Sequence, residues 1–213
     1  MALRELENEQ ERQNYTYRQT VVLEELDKHG MRAGQYREVR DIIFSPERKR
    51  TEQVVGKPFQ SLKRLIMTEE DFRDIREVQP FLFTPELLWI YQTRYRGEET
   101  MDGADCYVLQ VRPRQILQGQ RLFDGMFWVS KKDFSIVRSE GRAVPQIRGT
   151  KSENLFPYFT TLRGPVDGEH WFPIHTFADD ILAFSTGPQR VRLTIRYSNY
   201  QRFSADSTVT FRK

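Results

Sequence analysis

Four side chains near the C-terminal end, His170, His175, Asp179 and Asp180, are of the types that bind a metal ion or move protons. Their spacing argues against a shared site. The segment reads as a strand, and five residues along a strand places His170 and His175 on opposite faces. The third histidine, His29, stands beside Gly30 and reads as a turn residue. The single cysteine, Cys106, excludes an internal disulfide and any multi-cysteine metal cluster, and in its strand-like run it reads as a small buried hydrophobe. No Gly-x-Ser-x-Gly frame, Gly-x-Gly-x-x-Gly loop or Gly-Lys-Ser/Thr loop is present. The paired acids Glu24-Glu25, Glu69-Glu70 and Glu98-Glu99 read as solvated turn or helix-start residues. Nothing here asks for an enzyme, a metal or a cofactor.

Two other chemistries fit better. Arg190, Arg192 and Arg196 form a basic row along one face of the last strand. It suits anionic lipid head groups or an acidic partner protein; the plainer reading, and the one expected here, is an edge strand protected by charge against aggregation. The second chemistry is burial of an acyl chain, where each methylene removed from water is worth about 0.8 kcal/mol. That needs only a dry apolar hollow and a lid. The candidate lining is Tyr17, Val21, Trp89, Met126, Trp128, Phe159, Phe177, Leu193 and Ile195. The same residues would also fill a solid core, and both readings stay open. For the strand Gln120 to Ser130, Phe123, Phe127 and Val129 compete with Leu122, Met126 and Trp128 for the inward face.

The elements that must position these residues are mostly strands. Arg190 to Tyr197 alternates without a break, with Val191, Leu193, Ile195 and Tyr197 on one face and Arg190, Arg192, Thr194 and Arg196 on the other. Tyr15 to Leu26, Gln35 to Phe44 (broken by Ser45-Pro46) and Lys49 to Val55 predict an antiparallel meander, because their connections are too short for parallel crossovers. Leu3 to Gln13 reads as a charged helix. Thr68, followed by Glu69, Glu70 and Asp71, reads as a capped helix start. Phe72, Ile75 and Val78 give it one apolar stripe, and Pro80 ends it. Thr84-Pro85 opens a second short helix, whose Leu87, Leu88, Trp89 and Ile90 predict a lid over the apolar side of the sheet. Further strands follow as hairpins: Tyr91 to Glu99 with Ala104 to Arg112 around Asp102-Gly103, Gln120 to Ser130 with Phe134 to Val144, and Tyr158 to Arg163 with His170 to Ala178 around Asp167-Gly168.

Length and composition set bounds on this. The 213 residues, with 33 basic and 30 acidic side chains and a net charge of +3, describe one domain over 1–213 with a helical insert at about 60–90. Charges of both signs are mixed along the chain, which argues against a nucleic-acid patch. No apolar run approaches the ~20 residues of a membrane-spanning helix. The fold expected is mainly β (α+β), a curved antiparallel sheet of about ten strands wrapped around two or three short helices. The polar, charged N-terminus has no signal-peptide pattern, which suits a cytoplasmic protein or a mature chain whose leader has been removed.

Three segments carry a family resemblance: Asn14-Tyr15-Thr16-Tyr17-Arg18-Gln19-Thr20, the run Phe127 to Glu140 with its Trp128-Val129-Ser130-Lys131-Lys132-Asp133 turn, and Tyr197 to Phe203. In this order they resemble the LolA/LolB-like proteins that sort lipoproteins to the bacterial outer membrane. The resemblance implies a half-open barrel with a helical plug, and a hydrophobic cavity for acyl chains of lipids or lipoproteins. It also implies residence in the periplasm with the signal peptide removed, envelope membrane proteins as possible partners, and no catalytic residues. The alternative reading is an envelope protein-interaction module of the same fold with a filled core.

Overall fold

A computed structural model of the chain describes residues 1–45, 47–78, 83–101, 103–148 and 153–203. The turn and stop residues Pro46, Pro80 and Asp102 lie outside the described residues. Helix α1 (Ala2–Arg12) leads into a meander of β1 (Tyr15–Leu26), β2 (Arg32–Phe44) and β3 (Arg50–Val54), with the short β4 (Phe59–Gln60) also on β2. The helical insert follows: α2 (Glu69–Arg73), a π-helical turn (Asp74–Val78) and a 3-10 turn (Pro85–Leu87). Then come β5 (Tyr91–Met101), β6 (Ala104–Pro113), β7 (Leu122–Ser130), β8 (Ile136–Val144), and the small pair β9 (Ile147–Arg148) and β10 (Glu153–Asn154). Strands β11 (Phe159–Val166), β12 (His170–Phe184) and β13 (Gly187–Arg202) complete the chain.

The main sheet is antiparallel and open, in the order β3-β2-β1-β13-β12-β11-β8-β7-β6-β5. At about 4.8 Å per strand, ten strands laid flat would span over 40 Å. The sheet is instead a half-barrel curled around the insert. Phe72 of α2 meets Tyr36 of β2 edge-on at 5.9 Å, while Phe83 of the same insert reaches Tyr91 of β5 at 5.4 Å and Phe127 of β7 at 5.7 Å. One apolar cluster therefore runs from Ile42 on β2 to Val111 on β6.

Polar groups cap α2 and fix α1 to the sheet. The Thr68 hydroxyl accepts from Asp71 N at 3.2 Å and the Asp71 carboxylate accepts from Thr68 N at 2.7 Å, so the sequence-predicted cap is a full capping box. On α1, Glu5 and Asn8 are buried: Glu5 takes a bond from Arg163 of β11 at 2.6 Å, and Asn8 Oδ1 takes one from Trp171 N at 3.3 Å. In both places hydrogen bonds offset the desolvation of polar side chains that a purely apolar plug would avoid.

Two sequence expectations need correction. Glu25 is not solvated. It is 1% exposed, and its carboxylate accepts the backbone N–H groups of Lys63, Arg64 and Leu65 at 2.8, 2.7 and 2.5 Å. It thereby clamps residues 61–67 as a strap across the end of β1 and β2. Gly34 makes room for this clamp, since a Cβ there would stand 2.6 Å from the Glu25 carboxylate and 2.7 Å from the Ser61 carbonyl. Nor is the arginine strand an edge: β13 lies between β1 and β12. Arg190 and Arg192 bond to Asp179 on β12 at 2.7 and 3.1 Å, and Arg192 also lies 3.8 Å from Glu24 on β1. This part of the row is met by acids on its own neighbours.

Candidate functional site

Inside the half-barrel, between the strap and the ends of β1, β12 and β13, lies a part-enclosed hollow of about 420 Å³. That is within the range of small-molecule pockets. Its floor is sheet: Leu23 of β1, Leu182 of β12, and Val191 and Leu193 of β13, the last two 0% and 2% exposed. The unbroken alternation of β13 puts both on one face. One wall is the strap with its apolar run Leu65-Ile66-Met67, and the π-helical turn adds Ile75. The other wall is Leu155-Phe156-Pro157, the segment between β10 and β11. Each wall is an apolar triplet in otherwise polar connecting sequence. These triplets, which belong to no strand, are the signal that the sequence carries for the hollow.

The sequence candidates separate into three groups. Leu193 lines the hollow. Tyr17, Val21, Phe159 and Ile195 face the same side but belong to the packed core beside it. The remaining four do not face inward. Met126 and Trp128 pack on the opposite side of the sheet with Cys106, Val108 and Val137, because Phe123, Phe127 and Val129 take the inner face of β7. Phe177 is 40% exposed, since Thr176 and Ala178 hold the inner positions of β12. Trp89 is 72% exposed. The segment forms a single 3-10 turn, in which residues three apart share a face, so Leu87 and Ile90 pack on the core while Leu88 and Trp89 point out.

One acid lines the hollow at its helical end. Asp71 accepts from the Thr68 backbone and hydroxyl and, at 2.8 Å, from Asn154 Nδ2. Burial pushes its pKa up to about 6, with the nearby Asp74 adding to the rise and the Thr68 bonds and Arg121 opposing it. An acid whose pKa is higher in the fold than in the unfolded chain stabilises the fold below its ordinary 3.8 and loses that contribution as pH rises through about 6. Urea unfolding from pH 4 to pH 7 should therefore show stability falling more steeply for the native chain than for Asp71→Asn. Parallel curves would remove Asp71 as the source. Asp74, whose pKa burial also raises, faces one acid fewer in Asp71→Asn, so the difference between the two curves reports the coupled pair.

The histidines do not converge, in keeping with their strand spacing. His175 lies on the outer face, where burial and Arg196 lower its pKa. His170 lies near Glu11 and Asp167, with one ligand atom of each within 4.8 Å of the others. Both acids already have partners: Tyr15 donates to Asp167, and Arg202 is 2.8 Å from Glu11. That local pairing accounts for the cluster.

No family model and no curated protein matches the chain. Among solved structures, one likeness is a LolA superfamily protein from Nitrosomonas europaea, 14% identical over 95% of this chain and 94% of that one, TM-score 0.40. The chain is similar to LolA superfamily proteins. A DUF1329 family protein from Desulfovibrio piger is 15% identical over 97% and 92% of the two chains, TM-score 0.41. A domain assigned to outer-membrane lipoprotein sorting, from Vibrio parahaemolyticus, is 12% identical over 97% and 95%, TM-score 0.38. No helix among the described residues is long and apolar enough to cross a membrane.

Proposed function

We propose that this protein is a non-enzymatic binder or carrier of acyl chains, from lipids or lipoproteins, working in the bacterial periplasm. The observation that carries the reading is the hollow itself: a volume of about 420 Å³ over an apolar floor, beneath a strap held to the sheet chiefly by one carboxylate. About ten methylenes at ~0.8 kcal/mol each give a gross gain of roughly 8 kcal/mol, from which the cost of ordering a flexible chain is subtracted. That favours reversible loading and release over permanent storage. Native mass spectrometry of protein purified from bacterial cells should find an acyl-containing ligand, and a fluorescent fatty-acid probe should bind. Leu23→Trp, which fills the hollow from a partly buried position, should weaken the probe at least tenfold with the thermal midpoint little changed. A native protein that binds no acyl probe would end this reading.

A second reading, an envelope protein-interaction module, is favoured by β5. This edge strand is exposed on both faces for most of its length, with Tyr95 57% exposed, and it leaves one side of its backbone unpaired. An added strand from a partner would pair there. Slowed amide exchange along Tyr91–Met101 on adding an envelope extract would favour it; unchanged exchange would remove it.

A further inference from the structure

Three charged side chains line the hollow, and their commitments differ. Glu153 is occupied: its carboxylate accepts the Ser185 N–H at 3.0 Å and the Ser185 hydroxyl at 2.7 Å. Asp71 is occupied by Thr68 and Asn154, as described above. Arg64 is not. Its side chain makes one long bond, 3.4 Å, to the Thr186 carbonyl, and among the described residues no carboxylate lies within ion-pair distance of it. Yet its backbone is among the better fixed in the strap, because its N–H donates to buried Glu25 at 2.7 Å. A guanidinium without an acid, on an anchored backbone, at the mouth of an apolar hollow, is arranged to receive an anion attached to an apolar tail.

We infer that Arg64 is the head-group receptor of the hollow, and that the ligand class is a single-chain amphiphile with a carboxylate head. This rests on the acyl-binding reading and narrows it. The tail lies over Val191 and Leu193, and the carboxylate meets Arg64 at the rim, where a planar guanidinium offers two parallel donors. A neutral head of similar size would leave Arg64 where it is now, on the Thr186 carbonyl.

The test is displacement of the uncharged dye N-phenyl-1-naphthylamine at pH 8 by dodecanoate and by dodecan-1-ol, which share a tail and differ in head charge. The native chain should take dodecanoate about tenfold more tightly than the alcohol. Arg64→Gln should bring dodecanoate down to the level of the alcohol while the alcohol's own affinity holds, and Arg64→Lys should restore part of the gap. Equal binding of the two ligands by the native chain, or a gap that survives Arg64→Gln, overturns the assignment and leaves the hollow standing as a tail site. Failure of both ligands to displace the dye overturns the hollow as an acyl site, and this inference with it.

Discussion

Replacing Arg121 with methionine should cost the fold about 3–5 kcal/mol, the range for removing one partner of a buried ion pair. Arg121 and Asp74 have side chains 4% and 0% exposed. Arg121 Nε donates to Asp74 Oδ1 at 3.0 Å, and its other nitrogens donate to Asp74, to Asn154 Oδ1 and to the Pro145 carbonyl. Asn154 in turn donates to Asp71. One guanidinium therefore ties the π-helical turn, the β8–β9 connection and β10 together, and through Asn154 it reaches the helix cap. The methionine variant keeps the bulk of the stem and removes the charge, leaving the buried Asp74 carboxylate without its ion-pair partner. The deficit should shrink as pH falls, because protonation of Asp74 removes the buried charge. The double variant Arg121→Met/Asp74→Leu should recover most of the loss, as replacement of whole buried pairs by apolar residues often does. Urea unfolding of the three proteins at pH 5 and pH 7.5 decides it. A loss under 1 kcal/mol in the single variant, or one independent of pH, would show that the pair does not hold the plug.

Gly125→Ala should be the most damaging single-methyl change in the sheet. Gly125 on β7 and Gly141 on β8 are direct cross-strand partners, and the Phe123 ring lies over both. A Cβ at Gly125 would stand 2.0 Å from the Glu140 carbonyl oxygen and 2.6 Å from the tip of Phe123. A backbone carbonyl in a ladder cannot move aside without opening the strand pair. Phe123 is itself 1% exposed and stacks on Phe127 at 5.4 Å. Overpacking typically costs about 1–3 kcal/mol, and a backbone obstacle places this site at or above the top of that range. Gly164→Ala is the matched control, because there the nearest atoms are the Ile174 side chain at 3.3 Å, which can turn away. The expected result is a large drop in unfolding midpoint for Gly125→Ala with loss of near-ultraviolet aromatic signal, against a small change for Gly164→Ala. Similar midpoints would mean that the Gly125–Gly141 contact is not a fixed feature of the sheet.

Much of the local structure was legible because its physics is local. Period-two alternation fixed the two faces of β13, and Val191, Leu193, Ile195 and Tyr197 all point inward. Thr68 with Asp71 three residues on wrote the helix cap into four residues. Short connections dictated the meander β1-β2-β3. The inward side of β7 was not legible, because both of its faces are apolar and alternation then carries no sign. The inner set was decided by what the insert brought to it, Phe83 against Phe127.

The amino-acid sequence by itself determined that this is an antiparallel β protein with a short helical insert, since propensity, alternation and capping each act over a few residues. Only the tertiary structure decided where β13 pairs, which carboxylates are buried, and where the hollow lies. Those depend on groups far apart in the chain: Glu25 with Arg64, Arg121 with Asp74, and Leu23 with Leu155 and Val191. Such contacts follow from how strands at distant positions curl back over one another, and no spacing along the chain encodes that.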